Sequence, residues 1–191
     1  KEYYFVHPAY DKFPVVGVSN SQANLYCSWF TLENTQQEKE GYQTWYRLPT
    51  ETEWERAASV VAEKRSKKSS GSPVYNDFLR NSKGCYIANF RPVAGNFGID
   101  GAIYATSVES YFPNDAGCYN MQGNVAEWTL DQYDPKAFEQ PLPAGGYVPS
   151  TTPYPHVSKG GGWSEDASRM RCGGRRYADR SATRHAGGLL W

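Results

Sequence analysis

Arg47-Leu48-Pro49-Thr50-Glu51-Thr52-Glu53-Trp54-Glu55-Arg56-Ala57-Ala58 is the stretch from which the rest of the chain is best read. Thr50 stands at the N-cap position of a helix and Glu53 at its third residue, so each side chain can satisfy a backbone N–H that the turn leaves orphaned. Glu51, Glu53 and Glu55 crowd the first turns, where the positive end of the helix dipole favours carboxylates. The spacing predicts a helix beginning just after Thr50. Upstream, Pro14-Val15-Val16-Gly17-Val18 is a short apolar run closed by Ser19-Asn20-Ser21, a strand handing over to another helix. Ser19 and Gln22 repeat the capping-box spacing. Ala23, Tyr26, Cys27 and Phe30 then recur on one helical face, where Cys27 reads as a core residue.

The 191 residues are enough for one sizeable core. Twenty Lys and Arg balance twenty Asp and Glu, which excludes a whole-protein attraction to nucleic acid or to an anionic membrane. Fifteen Tyr, eight Phe and six Trp, with 18 Gly and 12 Pro, describe short strands and well-packed loops rather than a helical bundle. No segment reaches the ~18 consecutive apolar residues of a membrane span, and no signal peptide is present. Lys1 to Tyr4 read as the interior of a domain, so residues 1–191 are expected to be one domain lacking its N-terminal portion. The loop at 63–72, with Lys64, Arg65, Lys67 and Lys68, reads as a solvated tip rather than a nucleic-acid patch. Beyond residue 73 short strands separated by Gly, Pro and Asn are expected, with a proline-rich excursion at 141–155. No internal repeat is visible.

Cys27, Cys85, Cys118 and Cys172 form no C-x-x-C pair, a poor pattern for zinc. Buried free thiols and one or two disulfides both remain open. His7, His156 and His185 contain no His-x-x-x-His pair, and serine-hydrolase elbows, phosphate loops and EF-hand loops are absent.

Three blocks together carry a family resemblance. They are Arg47 to Glu55, then Gly117-Cys118-Tyr119-Asn120-Met121-Gln122-Gly123-Asn124-Val125-Ala126-Glu127-Trp128, then Lys159-Gly160-Gly161-Gly162-Trp163. In this order they resemble the formylglycine-generating-enzyme, or sulfatase-modifying-factor, family. The resemblance implies an α+β, C-type-lectin-like fold with two main helices, short antiparallel strands and a high loop content. Leu79-Arg80-Asn81-Ser82-Lys83-Gly84-Cys85-Tyr86-Ile87-Ala88-Asn89-Phe90 and the opening His7 to Val18 are similar to a narrower group. That group is the gliding-motility and type IX secretion lipoproteins of Bacteroidota.

Family enzymes use a pair of cysteines to bind copper and activate oxygen, chemistry that needs a thiolate as soft ligand and redox group. Aligning Arg171-Cys172-Gly173-Gly174-Arg175 with the family's terminal block puts Ala167 at the nearer catalytic position and Glu165 close to the other. Cys172 matches a structural cysteine. The resemblance therefore implies a chain without copper and without this catalysis. It also implies calcium, a hard cation served by carbonyl, amide and carboxylate oxygens. One set would be Asn89, Phe90, Asp100 and Ala102; a second would be Asn120, Gly123, Val125 and Glu127. Against this stands the simpler reading that these Asx and Glu side chains only cap turns or bond nearby backbone.

Arg169, Arg171, Arg175, Arg176, Arg180 and Arg184 crowd the C-terminal segment. With Trp163 the first four are candidates for binding an acidic partner or an anionic glycan, the guanidinium fork matching such groups. The alternative is a strand whose arginines pair with nearby acids. At the terminus, Gly187-Gly188-Leu189-Leu190-Trp191 replaces the family's closing strand, and Trp191 stands where relatives place the disulfide partner of Cys27. The expected role is a non-catalytic structural or interaction module of a bacterial cell-envelope machine. Its expected partners are other envelope proteins or copies of itself, with no nucleic acid, and with membrane attachment only through a lipid anchor outside the chain. A lectin-like receptor with a variable segment from Trp163 to His185, and an oxidase, are the competing expectations.

Overall fold

The computed structural model describes residues 2–35, 44–59, 79–81, 83–96, 98–134, 155–179, 181–183 and 187–189. The basic loop at 63–72, nearly all of the proline-rich excursion, Arg180, Arg184, His185 and Trp191 lie outside these residues. Two short 3₁₀ turns, Glu2–Phe5 and Pro8–Tyr10, open the chain. Strand β1 (Val15–Val16) leads into helix α1 (Asn20–Thr35), and helix α2 (Glu51–Ser59) follows. Strands β2 (Ala126–Gln132), β3 (His156–Lys159), β4 (Arg176–Ala178) and β5 (Gly187–Leu189) complete one sheet in the order β1-β5-β2-β3-β4.

Both helix starts take the expected form. The Gln22 backbone N–H donates to Ser19 Oγ at 3.2 Å while the Ser19 backbone N–H donates to Gln22 Oε1 at 2.8 Å. Glu53 N–H reaches Thr50 Oγ1 at 3.2 Å and Thr50 N–H reaches Glu53 Oε2 at 2.8 Å. These are reciprocal capping boxes, each satisfying two otherwise orphaned donors. Asp131 adds a third acceptor at the start of α2, taking the Glu51 N–H at 2.5 Å.

Three of the four strand pairings are antiparallel, and β2 with β5 is parallel. Gly187–Leu189 thus forms an interior strand of the sheet, between β1 and β2. From Leu79 to Val125 the expected short strands do not form among the described residues. Only isolated bridges at Arg80–Tyr86 and Val93–Asn96 occur. Asx side chains hold this region instead. Asn81 Oδ1 accepts from Lys83 N–H and Cys85 N–H, and Asn114 Oδ1 accepts from Ala116 N–H and Cys118 N–H. An Asx turn supplies the partner that a neighbouring strand would otherwise give.

The core lies in two clusters. Ala23 and Cys27 of α1 pack with Leu48, Trp128, Leu130 and Ala178, so the buried face of α1 is the one its periodicity marks. Leu79, Ala88, Phe90 and Met170 form the second, with Tyr86 and Ala167 packed against it. All four cysteines are free thiols, Cys27 buried and Cys85 exposed.

Candidate cation-binding junction

The three sequence blocks meet at one place. Trp54 of α2 is fully buried and donates its indole Nε1–H to Glu127 Oε2 of β2 at 2.7 Å. Glu127 faces Lys159 across the β2–β3 register. Gly160, at φ +85°, lets the Trp54 ring lie against the backbone, since a Cβ there would come within 3.2 Å of it. Gly123 N–H donates to the Gly160 carbonyl at 2.8 Å, tying the second block to the third.

The loop before β2 curls through left-handed conformations at Asn120 (φ 50°), Gly123 (φ 89°) and Asn124 (φ 65°). Asn tolerates this region better than other side chains, and Gly adopts it freely. Gly123 must also be bare, because a Cβ would stand 2.3 Å from the Asn89 carbonyl oxygen. Asn124 N–H donates to that carbonyl at 2.7 Å. The Asn124 side chain then pairs with the Thr106 backbone in both directions, and its Oδ1 accepts from Asn89 Nδ2 at 3.2 Å. Trp163 N–H donates to the Asn124 carbonyl at 2.9 Å. Asn124 is thus the hub joining the 89–90 segment, the 104–106 segment and Trp163. In the sequence this hub is marked only by the adjacency of Gly123 and Asn124, two residue types that accept left-handed backbone.

Three buried side-chain oxygens among the described residues lack any hydrogen-bond partner: Asn89 Oδ1, Asn120 Oδ1 and Glu127 Oε1. An orphaned buried polar group is costly, typically ~1–3 kcal/mol. Each of the three belongs to one of the two oxygen sets expected for calcium. Their other atoms are fully used. Asn89 Nδ2 donates to Tyr104 O at 2.9 Å, Asn120 Nδ2 to Val108 O at 2.6 Å, and Glu127 Oε2 takes Trp54. The amide hydrogens and the indole thereby leave the free oxygen of each side chain as an acceptor only. Asp100, in the first set, accepts Phe90 N–H at 2.6 Å and Ala102 N–H at 3.2 Å, so it ties together the two segments that carry the backbone carbonyls of that set. Its carboxyl is held above the ordinary value by burial, partly offset by those two donors. Burial likewise pushes Glu127 up from 4.5 to about 7, with the Trp54 indole pulling the other way. No group of three His, Cys, Asp or Glu residues is placed for a metal among the described residues. The sets here are amide, carbonyl and single-carboxylate oxygens, a donor chemistry suited to calcium.

Glu165 and Ala167, the two positions that the family resemblance sets against the catalytic cysteines, are built into the scaffold. Glu165 pairs with Arg176, and its second oxygen takes Gly162 N–H at 3.2 Å. Its carbonyl takes Arg91 N–H at 2.7 Å. Ala167 opens a 3₁₀ turn (Ala167–Met170) against the second core cluster. Cys172 is half-buried, accepts a weak Gln122 contact at 3.8 Å, and has its thiol pKa raised by burial.

The expected binding arginines divide. Arg175 is almost wholly buried, bonded to Glu51 at 2.7 Å and lying over Tyr133, while Arg176 holds Glu165. Pairing with acids accounts for these two. Arg169 and Arg171 are exposed. Arg169, Arg175, Arg176 and Tyr177 line an open cleft of about 180 Å³. Trp163 is half-buried, edge-on to Tyr104 at 5.3 Å. An unexpected feature is Lys159, which is fully buried and bonded to Glu55 at 2.5 Å and Glu51 at 3.3 Å. With Arg175 it makes a four-charge cluster between α2 and the sheet. Glu51 and Glu55 are recognisable beforehand as first-turn acids, but Lys159 carries no signal of burial.

Residues 5–189 match the sulfatase-modifying factor enzyme 1-like domain. The chain is 34 % identical over 174 residues to the serine/threonine-protein kinase pkn1 of Chlamydia pneumoniae, covering 89 % of this chain and 22 % of that protein. It is 35 % identical over 123 residues to the inactive C-alpha-formylglycine-generating enzyme 2 of Bos taurus, covering 64 % and 34 %. With the formylglycine-generating enzyme of Streptomyces coelicolor it shares 31 % over 140 residues, covering 72 % and 38 %. The chain therefore spans between about a fifth and two fifths of these relatives' lengths. Among solved structures, Treponema denticola variable protein 1 superposes with a TM-score of 0.66 at 20 % identity, covering 96 % of this chain and 72 % of that one. That likeness is one of fold. On the match across residues 5–189, and on the three blocks that converge at Trp54 and Glu127, the chain belongs to the sulfatase-modifying-factor (formylglycine-generating-enzyme-like) family.

Proposed function

We propose that this chain is a non-catalytic member of its family, a structural or protein-interaction module whose loops are braced by calcium. The observation that carries this reading is the filling of the two catalytic positions. Glu165 is committed to Arg176, to Gly162 and to Arg91, and Ala167 to a hydrophobic cluster, so neither supplies a copper-binding thiolate. Inactive as well as active enzymes stand among the relatives, so the family accommodates both outcomes. The test is incubation of the full chain with copper, oxygen and a cysteine-containing sulfatase peptide. Unchanged peptide mass is expected, and conversion of the cysteine to formylglycine would overturn the reading.

The calcium part assigns one ion to Asn89 and Asp100 with the Phe90 and Ala102 carbonyls, and another to Asn120 and Glu127 with the Gly123 and Val125 carbonyls. The three orphaned oxygens support it. Calcium would supply structural cross-linking of the loops and no reactive group.

The narrower similarity of the 79–90 and 7–18 segments favours a setting in the bacterial envelope, in gliding-motility or type IX secretion machinery. The partners there would be other envelope proteins or further copies of the chain, with any lipid anchor outside it. A second reading, a receptor that binds an anionic ligand, draws on the open cleft beside Arg169 and Tyr177. Pairing of Arg175 and Arg176 with acids leaves that cleft nearer neutrality and ranks this reading second.

A further inference from the structure

Helix α1 is apolar on two opposite faces. Ala23 and Cys27 enter the core on one side. On the other, Leu25, Trp29 and Leu32 follow at i, i+4 and i+7 and are 70 %, 49 % and 69 % exposed. A surface helix ordinarily turns polar residues outward, so an apolar stripe on the solvent side, set among Asn24, Ser28 and Glu33, marks a second contact. Ring contacts run from Trp29 through Tyr26 and Phe30 to Tyr46, and next to Tyr46 the Trp45 side chain is 76 % exposed. At roughly 200 Å² for each large apolar side chain, this band leaves on the order of 600 Å² in solvent. That is at the top of what single chains expose, and close to the ~800 Å² each partner contributes to a standard interface.

We propose that this face of α1 is the contact of a two-fold homodimer, in which the α1 helices of two copies pack antiparallel. Two properties point to a second copy rather than a different partner. The first is charge. Between Asn20 and Thr35 the only charged residue is Glu33, so a partner of opposite charge has almost nothing to read, whereas a second copy brings an equally uncharged face. The second is the spacing itself. A two-fold axis passing between Ser28 and Trp29 sets Leu25 of one copy against Leu32 of the other. It sets the small Ser28 against the large Trp29, and Glu33 against Asn24. Apolar meets apolar, large meets small, and no like charges meet, which is the self-complementarity an isologous interface requires.

The proposal deepens the assembly role above, but its test reads mass alone and so fails separately from that role. Sedimentation equilibrium of the full chain is expected to give twice the monomer mass. Leu25→Lys, at a position already exposed in the single chain, is expected to give the monomer with an unchanged circular dichroism spectrum. Leu25→Lys combined with Leu32→Glu places the new charges opposite each other across the axis, and the dimer is expected to return. A monomeric wild type, a dimer indifferent to Leu25→Lys, or a double variant that stays monomeric would overturn the proposal.

Discussion

At Gly123 two constraints coincide. The backbone is left-handed, and the Asn89 carbonyl stands where a side chain would begin. Gly123→Ala is therefore expected to cost about 3 kcal/mol or more, in the range of substitutions that overpack and strain together. Gly95, also left-handed at φ +80° but facing open space, serves as the control. Gly95→Ala is expected to cost only ~1–2 kcal/mol, the penalty of the conformation alone. Urea denaturation of both variants checks the difference. Glu127 makes a second residue-scale prediction. Its carboxyl rises to about 7 on burial, against about 4.5 when unfolded, so the folded chain holds the proton more tightly. Without calcium, the stability this group contributes is complete below pH ~4.5, declines as pH rises through 7, and amounts to about 3 kcal/mol. Glu53, held down to about 2 by Arg47 and the Thr50 cap, acts in the opposite sense and only below pH ~4.5. Stability of the chelated protein measured from pH 5 to pH 8 should fall; Glu127→Gln should flatten that fall. The two oxygen sets follow from the family resemblance alone, since Asx and Gly beside one another mark only a tight loop in the sequence. The orphaned state of three of these oxygens was not legible there, since it depends on where Trp54, Tyr104 and Val108 arrive from distant segments.

The two helices were readable because their signals are local. A capping box spans four residues and needs no tertiary partner, and both boxes close as the spacing requires. The strands were harder. The parallel pairing of β2 with β5 joins Ala126 to Gly187, a separation no local pattern announces. The segment from 79 to 125 was expected to hold short strands and folds instead into Asx turns, because Asn81 and Asn114 satisfy locally the donors that a ladder would have taken. Lys159 shows the same limit. It closes β3, and a lysine before three glycines reads as exposed, yet Glu51 and Glu55 one helical turn apart receive it. Removing one member of such a buried cluster leaves uncompensated charge. Lys159→Ala is expected to lose about 3–5 kcal/mol, and Glu55→Gln, at a half-exposed site, much less. Chemical denaturation of the two variants distinguishes this cluster from a set of surface ion pairs, for which both losses would be small.

On the scale of the whole molecule, three blocks spread over more than a hundred residues of sequence form one junction. Trp54 comes from α2, Glu127 from β2 and Gly160 from just after β3, and Trp54 touches both of the others. The three blocks thus read as architecture here, and the two positions that the family resemblance assigns to its chemistry, Glu165 and Ala167, sit in an ion pair and against the core. The most direct measurement is thermal unfolding of the chelator-treated chain before and after calcium is restored. At a hundred-fold excess over the dissociation constant, binding adds about 2.7 kcal/mol, which for a chain of this size is a rise of roughly 5–10 °C in Tm. The account predicts that rise, and predicts that Asn120→Ala with Glu127→Gln removes a large part of it. An unchanged Tm in the unsubstituted chain would contradict the account.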